Sequence, residues 1–272
     1  MASPTFSFSS ILLTFLLLGT AAASSDDLAV EKITFSYSGP TGPEHWSSLD
    51  PKNTACAGQM QSPVNIMKNQ TVNNNNLKTL NRTYKPANVS LVNNGFLVGI
   101  HYESEAGDVD IDGKTYSLVQ MHWHSPSEHQ IEGVQYAAEL HLVHLASDKS
   151  ISVVAILYQT GDPDPFLSKI KDGLDEMAKD KCSEDEVSAV KLGELDPKQL
   201  KRKSRRYYRY AGSLTSPPCT ENVTWNILGK VRTISKEQLA ALQAPLSSAF
   251  KSNARPVQPL NGRQIQLYDE LD

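Results

Sequence analysis

His122 and His124 stand two residues apart in a run, Ser117-Leu118-Val119-Gln120-Met121-His122-Trp123-His124, that reads as a β-strand. Side chains at i and i+2 of a strand leave the same face, so both imidazoles can converge on one point. A second alternating run, Ala138-Glu139-Leu140-His141-Leu142-Val143-His144, brings His141 in at a separation that suits a neighbouring antiparallel strand. Three neutral imidazoles with no obligatory fourth protein ligand describe an open, catalytic Zn2+ site rather than a closed structural one. Its chemistry would be a metal-activated water, because neutral ligands leave the dication's charge uncancelled whereas a carboxylate ligand would offset part of it. Paired strand histidines also occur as stacked or solvated side chains, so spacing alone leaves both readings open. Glu139 shares a face with His141 and is by position a further possible ligand.

Those residues need a sheet to hold them, and the chain supplies one. Short alternating or apolar runs separated by turn residues cover 89–92, 97–102, 109–111, 117–124, 138–145, 151–158 and 223–228. Helices are expected only at the margins, after Pro163-Asp164-Pro165 and from Ser235, where Gln238 completes a capping box. Residues 69–76 are Asn-rich and read as a surface loop. No repeat or interdomain linker interrupts the pattern, so the fold class is mixed and β-dominated, with a single domain over 24–272.

The chain has 272 residues, 39% apolar and 21% charged, enough for one sizeable core. A net charge of −4 gives no electrostatic reason to expect nucleic acid. The one dense basic stretch, 198–209, reads as a solvated loop or face. Residues 11–19 are apolar but too short to span a bilayer, and the small-residue run Thr20-Ala21-Ala22-Ala23-Ser24 follows. Segment 1–23 is therefore expected to be a secretory signal peptide, although it lacks the usual Lys or Arg. No membrane insertion is expected of the rest. The destination is the secretory pathway and the extracellular space, with vacuole or plastid as alternatives. Sequons at Asn69, Asn81 and Asn88 agree with that route; Asn222 also heads one, but it lies in an apolar strand beside Trp225 and is the least suited to carry sugar.

Several of these words together resemble the alpha-class carbonic anhydrases: Gln120-Met121-His122-Trp123-His124, Ser127-Glu128-His129, the run 138–144 and Gly212-Ser213-Leu214-Thr215-Ser216-Pro217-Pro218. The likeness begins near Tyr37 and Gly42-Pro43-Glu44-His45-Trp46. It continues through Gln61-Ser62-Pro63-Val64-Asn65-Ile66 to Arg255-Pro256 and Gln258-Pro259-Leu260. The resemblance implies a large twisted, mostly antiparallel central sheet with zinc at the bottom of a conical cleft. It also implies reversible hydration of carbon dioxide to bicarbonate by a zinc-bound hydroxide, carbonic anhydrase being the type case of a water whose pKa zinc lowers to about 7.

On the same resemblance Gln120 and Glu139 become acceptors that orient His122 and His141. Thr215 accepts from the zinc hydroxide while donating to an ionised Glu128, Val143, Val153, Leu214, Val223 and Trp225 form the apolar wall for carbon dioxide, and Ser216 stands beside Thr215 in the substrate pocket. Tyr37 and Asn94 match polar cleft residues that order solvent, whereas His45, His129 and His144 read as structural, His144 lying on the opposite sheet face from His141. Cys56 and Cys219 match the pair joined in secreted members, a bond worth roughly 4–5 kcal/mol in the chain-entropy model, which leaves Cys182 over. After Asn93-Asn94-Gly95 the efficient members carry a proton-ferrying histidine, where this chain has Phe96. Phenylalanine cannot titrate; His101 is a possible substitute, with an ordinary surface histidine the plainer reading. A storage or defence protein that kept the fold, as the dioscorins of tubers resemble this family, is the competing function. The complete histidine trio distinguishes the enzyme from it. Oligomeric state is not legible.

Overall fold

The alternating runs pair into one sheet because each buries a face on either side of it. The computed structural model describes residues 33–179, 187–200 and 204–270; segment 1–23, Lys201, Arg202, Lys203 and Cys182 lie outside them. Among the described residues thirteen strands form the main sheet. In spatial order its spine runs Ser188–Leu195, Ala87–Asn93, Val98–Tyr102, Lys114–His124, Ala138–Leu145, Ile151–Thr160, Glu221–Leu228, Arg206–Ser213, Gln266–Asp269 and Val72–Asn73. Neighbours are antiparallel except where Ile151–Thr160 meets Glu221–Leu228 and where Gln266–Asp269 meets Val72–Asn73. The expected β-dominated single domain is what forms.

Two apolar layers sandwich this sheet. Leu91, Ile100, Met121, Trp123, Leu140, Leu142 and Ile156 pack on one face beneath the helix Pro165–Met177. That helix starts where Asp164 accepts from the backbone N–H of Phe166 and Leu167, with Pro165 fitting the first turn, where no N–H is needed. Its Phe166 stacks on Trp123 at 6.3 Å, so the residue between the two strand histidines anchors the opposite face. The expected capping box of Ser235 and Gln238 opens the helix Lys236–Gln243, and Gln238 Oε1 also accepts from the Asp164 N–H at 2.7 Å. The second layer holds Val143, Val153, Tyr210, Val223 and Trp225 on the histidine face.

Three expectations need correction. The basic stretch is not simply a solvated loop, because Arg206–Ser213 is an inner strand whose Tyr207, Tyr208 and Tyr210 are buried. Arg209 is buried with them, donating to Asn226 Oδ1 at 2.8 Å and to Asp112 Oδ2 at 2.6 Å. His101 is no surface histidine, being 5% exposed. Within the Asn-rich run the chain adds a short strand, Val72–Asn73, to the sheet edge. No described helix is long and apolar enough to cross a membrane.

Candidate metal centre

Antiparallel register sets His122 directly opposite His141 and His124 opposite Glu139, so strand alternation places all four on one face. Each ring is gripped through one nitrogen by an oxygen that can only accept. His122 Nδ1 donates to Gln120 Oε1 at 2.8 Å, His124 Nδ1 to the Asn253 carbonyl at 2.7 Å and His141 Nε2 to Glu139 Oε1 at 2.8 Å. Those acceptors fix the tautomers, and the lone pairs left over are His122 Nε2, His124 Nε2 and His141 Nδ1.

The three remaining nitrogens converge. His122 Nε2 and His141 Nδ1 are 3.2 Å apart, and the trio's ligand atoms fall within 4.8 Å of one another. With both nitrogens proton-free that contact cannot be a hydrogen bond, whereas nitrogens sharing a tetrahedral zinc at ~2.0–2.1 Å stand about 3.3 Å apart. His124 Nε2 is buried without a hydrogen-bond partner, its nearest carboxylate oxygen being Glu128 Oε2 at 3.4 Å. One orphaned nitrogen and a repulsive contact between two others at one point are the features that a cation resolves. The residues therefore fit Zn2+.

Electrostatics points the same way. Burial, reinforced by the neighbouring histidines, holds His122 well below the ordinary imidazole value and His124 at about 3. Burial also lowers His141, although Glu139 opposes it. All three are neutral at pH 7, as ligands must be. Burial alone would raise Glu139, but His129, His141 and their hydrogen bonds hold it well below the usual carboxylate range.

Glu139 is more than a clamp on one histidine. Its Oε2 accepts from the backbone N–H of Glu128 and His129 at 2.9 and 2.8 Å, and its Oε1 accepts from His129 Nδ1 at 2.7 Å. Because the carboxylate only accepts, His129 must carry its proton on Nδ1, which makes Nε2 an acceptor for the Tyr210 hydroxyl at 2.7 Å. Tyr210 then accepts from Ser62 Oγ at 2.8 Å, and Ser62 Oγ accepts from the Ser213 N–H at 3.0 Å. Proton donation thus runs from Ser213 through Ser62, Tyr210 and His129 to the Glu139 carboxylate, into which His141 Nε2–H donates from the other side. His129 is structural, as expected, but its structural task is this orientation.

Thr215 and Glu128 are both buried beside the trio. Burial and then repulsion from Glu139 push the Glu128 carboxyl well above its usual range, opposed by the Thr215 hydroxyl and the Arg255 backbone N–H. The protein groups alone thus act against the anion that the resemblance implies; a dication held by the histidines acts in the opposite sense. Arg255 N donates to Glu128 Oε1 at 3.0 Å, while its buried guanidinium ties Gln61, Ser62 and Cys56 together.

A cavity of about 30 Å³ opens on the histidines, lined by Phe96, Leu97, Gln120, His122, His141, Val143, Val153, Leu214, Thr215, Ser216 and Trp225. That is room for one or two water-sized molecules. Of the expected apolar wall only Val223 is set back, buried in the layer behind. Phe96 lines the cavity but is 6% exposed, packed on Phe35 with ring centres 5.0 Å apart. His101 is outside the lining, cross-strand from Gln120 and Ser90, its pKa lowered by burial. Tyr37 packs against Trp46 with its hydroxyl buried, and Asn94 uses its Oδ1 to close the turn into Leu97. His144, on the far face, hydrogen-bonds Tyr84. Cys56 and Cys219 form the disulfide, with Cα atoms 4.9 Å apart.

Asn253 is the functional residue that the sequence conceals. It contributes a backbone carbonyl, which no side-chain spacing announces, and its amide then locks the position by accepting from Ser125 N and donating to the Phe96 carbonyl.

The model of the eukaryotic-type carbonic anhydrase family matches residues 41–269. Alpha carbonic anhydrase 7 of Arabidopsis thaliana is 40% identical over 94% of this chain and 92% of its own. Among solved structures, dioscorin complexed with ascorbate superposes with a TM-score of 0.84 at 36% identity, covering 88% of this chain and 99% of that one. The alpha-carbonic anhydrase of Thermovibrio ammonificans, solved with the inhibitor sulfanilamide, gives 0.73 at 35% identity, with coverage of 85% and 98%.

Proposed function

This chain belongs to the eukaryotic-type carbonic anhydrase family, and from that premise we propose that it is a zinc-dependent carbonate dehydratase, converting carbon dioxide and water to bicarbonate and a proton. The observation that carries the proposal is the convergence of three buried, proton-free imidazole nitrogens whose other nitrogens are all held by acceptors. His122, His124 and His141 would hold the ion; when bound, it acts as a Lewis acid and lowers the pKa of a coordinated water. Gln120, Glu139 and the Asn253 carbonyl keep the three rings aimed.

The remaining residues handle the reacting atoms. Thr215, able to give its own hydroxyl proton to Glu128, keeps only acceptor capacity for the attacking oxygen and so turns a lone pair toward the substrate. Carbon dioxide has no charge and little hydrogen-bonding capacity, and it rests against Val143, Val153, Leu214 and Trp225, with Ser216 beside Thr215 to meet the polar product. The buried disulfide and the sequons support passage through the secretory pathway, where such bonds persist. The extracellular space is the destination that we favour, with vacuole or plastid as alternatives. A storage or defence role is the second reading, favoured by the fold likeness to dioscorin and opposed by the intact trio.

Zinc analysis and stopped-flow hydration of purified mature protein test the proposal. About one zinc per chain with hydration activity is expected, and His124→Ala should lose both. Stoichiometric zinc and normal activity in that variant would show the ligand assignment to be wrong; zinc without hydration in wild type would favour storage.

A further inference from the structure

Sequence context argues against Asn222-Val223-Thr224 as a glycan acceptor, since Asn222 reads as part of an apolar strand. The fold reverses that expectation. Between Arg206–Ser213 and Glu221–Leu228, Gly212 pairs with Val223 while Ser213 pairs with Glu221, so the register slips by one and Asn222 is opposite no residue. It is the extra residue of a β-bulge, with φ 65, a left-handed backbone that Asn adopts more readily than other residues except glycine. A bulge breaks the two-residue alternation. Asn222 is exposed while Val223 and Trp225 are each 1% exposed. On the other side, parallel pairing begins only at Val223 with Ile151, so the neighbouring strand leaves Asn222 uncovered.

We infer that Asn222 carries an N-linked oligosaccharide. Thr224 supplies the hydroxyl residue two positions on, and a bulky polar glycan is tolerated in the native state only where the amide meets water, the condition that the bulge creates. Asn69, Asn81 and Asn88 meet the same condition, all being exposed. Asn222 differs from them in its place. Its neighbour Glu221 accepts from Met60 N at 2.7 Å and Gln61 Nε2 at 2.9 Å, and Cys219, three residues earlier, bonds to Cys56. The sugar would stand beside the seam where the Cys56–Gln61 segment docks, next to the loop that carries Thr215 and Ser216. The inference rests on the secretory route proposed above.

A left-handed backbone alone could explain an asparagine here, so the test must separate backbone from sugar. Thr224→Val keeps Asn222 and the β-branched strand residue while removing the hydroxyl; Asn222→Gly keeps the left-handed backbone while removing the acceptor. The full-length chain is expressed through a eukaryotic secretory system, and intact mass before and after enzymatic deglycosylation is combined with peptide mapping. The expected result is a glycan on the Asn222 peptide of wild type and a mass lower by one glycan in each variant. An unmodified Asn222 peptide from protein bearing sugar on Asn69, Asn81 or Asn88 overturns the inference alone, as does a Thr224→Val variant that loses the same mass on deglycosylation as wild type. Absence of sugar at all four sequons overturns the secretory route and the inference with it.

Discussion

Replacing Tyr210 by Phe removes one hydroxyl from the middle of the donor chain that ends on Glu139, the acceptor that also orients His141. The ring can stay: it lies parallel to Trp225 at 6.4 Å and beneath the Arg263 guanidinium at 5.6 Å, contacts that Phe retains. Lost are the bond to His129 Nε2 at 2.7 Å and the acceptor for Ser62 at 2.8 Å, in a region where Ser62 and His129 are both 0% exposed. A buried polar group left without a partner costs ~1–3 kcal/mol, so the metal-free variant should lose about that much stability. With Nε2 orphaned, His129 still donates from Nδ1 to Glu139 but its ring loses the second of its two tethers, and Glu139 in turn grips His141 less firmly. Partners one shell beyond a metal ligand are worth ~10–100-fold in affinity; Tyr210 acts two residues further out, so a loss near the lower bound, about tenfold, is expected. Urea denaturation of metal-free protein gives the first quantity and competition with a chelator gives the second, with Ser62→Ala as a milder comparison. A variant destabilised as expected but holding zinc as tightly as wild type would refute the coupling and leave the chain a packing feature only.

Three further outcomes are expected. Cys56→Ser should lower stability by ~2–5 kcal/mol in denaturant melts, and peptide mapping without reduction should find Cys56 with Cys219; a Cys182 linkage to either would contradict the fold. Burial depresses His144 to about 3, so between that value and the unfolded pKa near ~6.5 the unfolded chain binds a proton that the folded chain does not. Stability therefore falls as pH drops from ~6.5, by up to ~1.4 kcal/mol per unit for this residue, or about 2 kcal/mol at pH ~5. His144→Gln should show a correspondingly shallower pH dependence, and equal slopes would exclude His144 as the source. Turnover in stopped-flow hydration should rise with imidazole buffer, because Phe96 cannot relay a proton; buffer-independent turnover that His101→Ala abolishes would instead make His101 the shuttle.

The histidine pair is legible because strand alternation is a local rule: His122 and His124 must share a face whatever the rest of the chain does. The His141 register followed only approximately from sequence, since pairing is decided by the whole sheet. Elsewhere local rules misled. Arg206 and Arg209 made an aromatic strand look like a solvated stretch, because charge outweighs Tyr207, Tyr208 and Tyr210 when burial is unknown. Asn222 reads as an apolar-strand residue because periodicity runs straight through it, and a single-residue bulge leaves no trace in that pattern. His101 looked exposed because a lone polar residue in a strand carries no mark of the layer above it.

Phe96 shows how the two kinds of information combine. The sequence says that no titratable group stands at that position; the structure adds that its ring belongs to an aromatic cluster with Phe35 and Phe250, at 5.0 and 6.4 Å. A histidine placed there would be desolvated by those rings, and burial pushes imidazole below its ordinary value, as His101 and His144 illustrate in this chain. Phe96→His should therefore restore less proton transfer at low buffer than an exposed imidazole would. Full independence of buffer in that variant would show that the cluster opens to admit water. A useful relay needs both a titratable group and solvent around it, and the packing of Phe35 and Phe250 withholds the second.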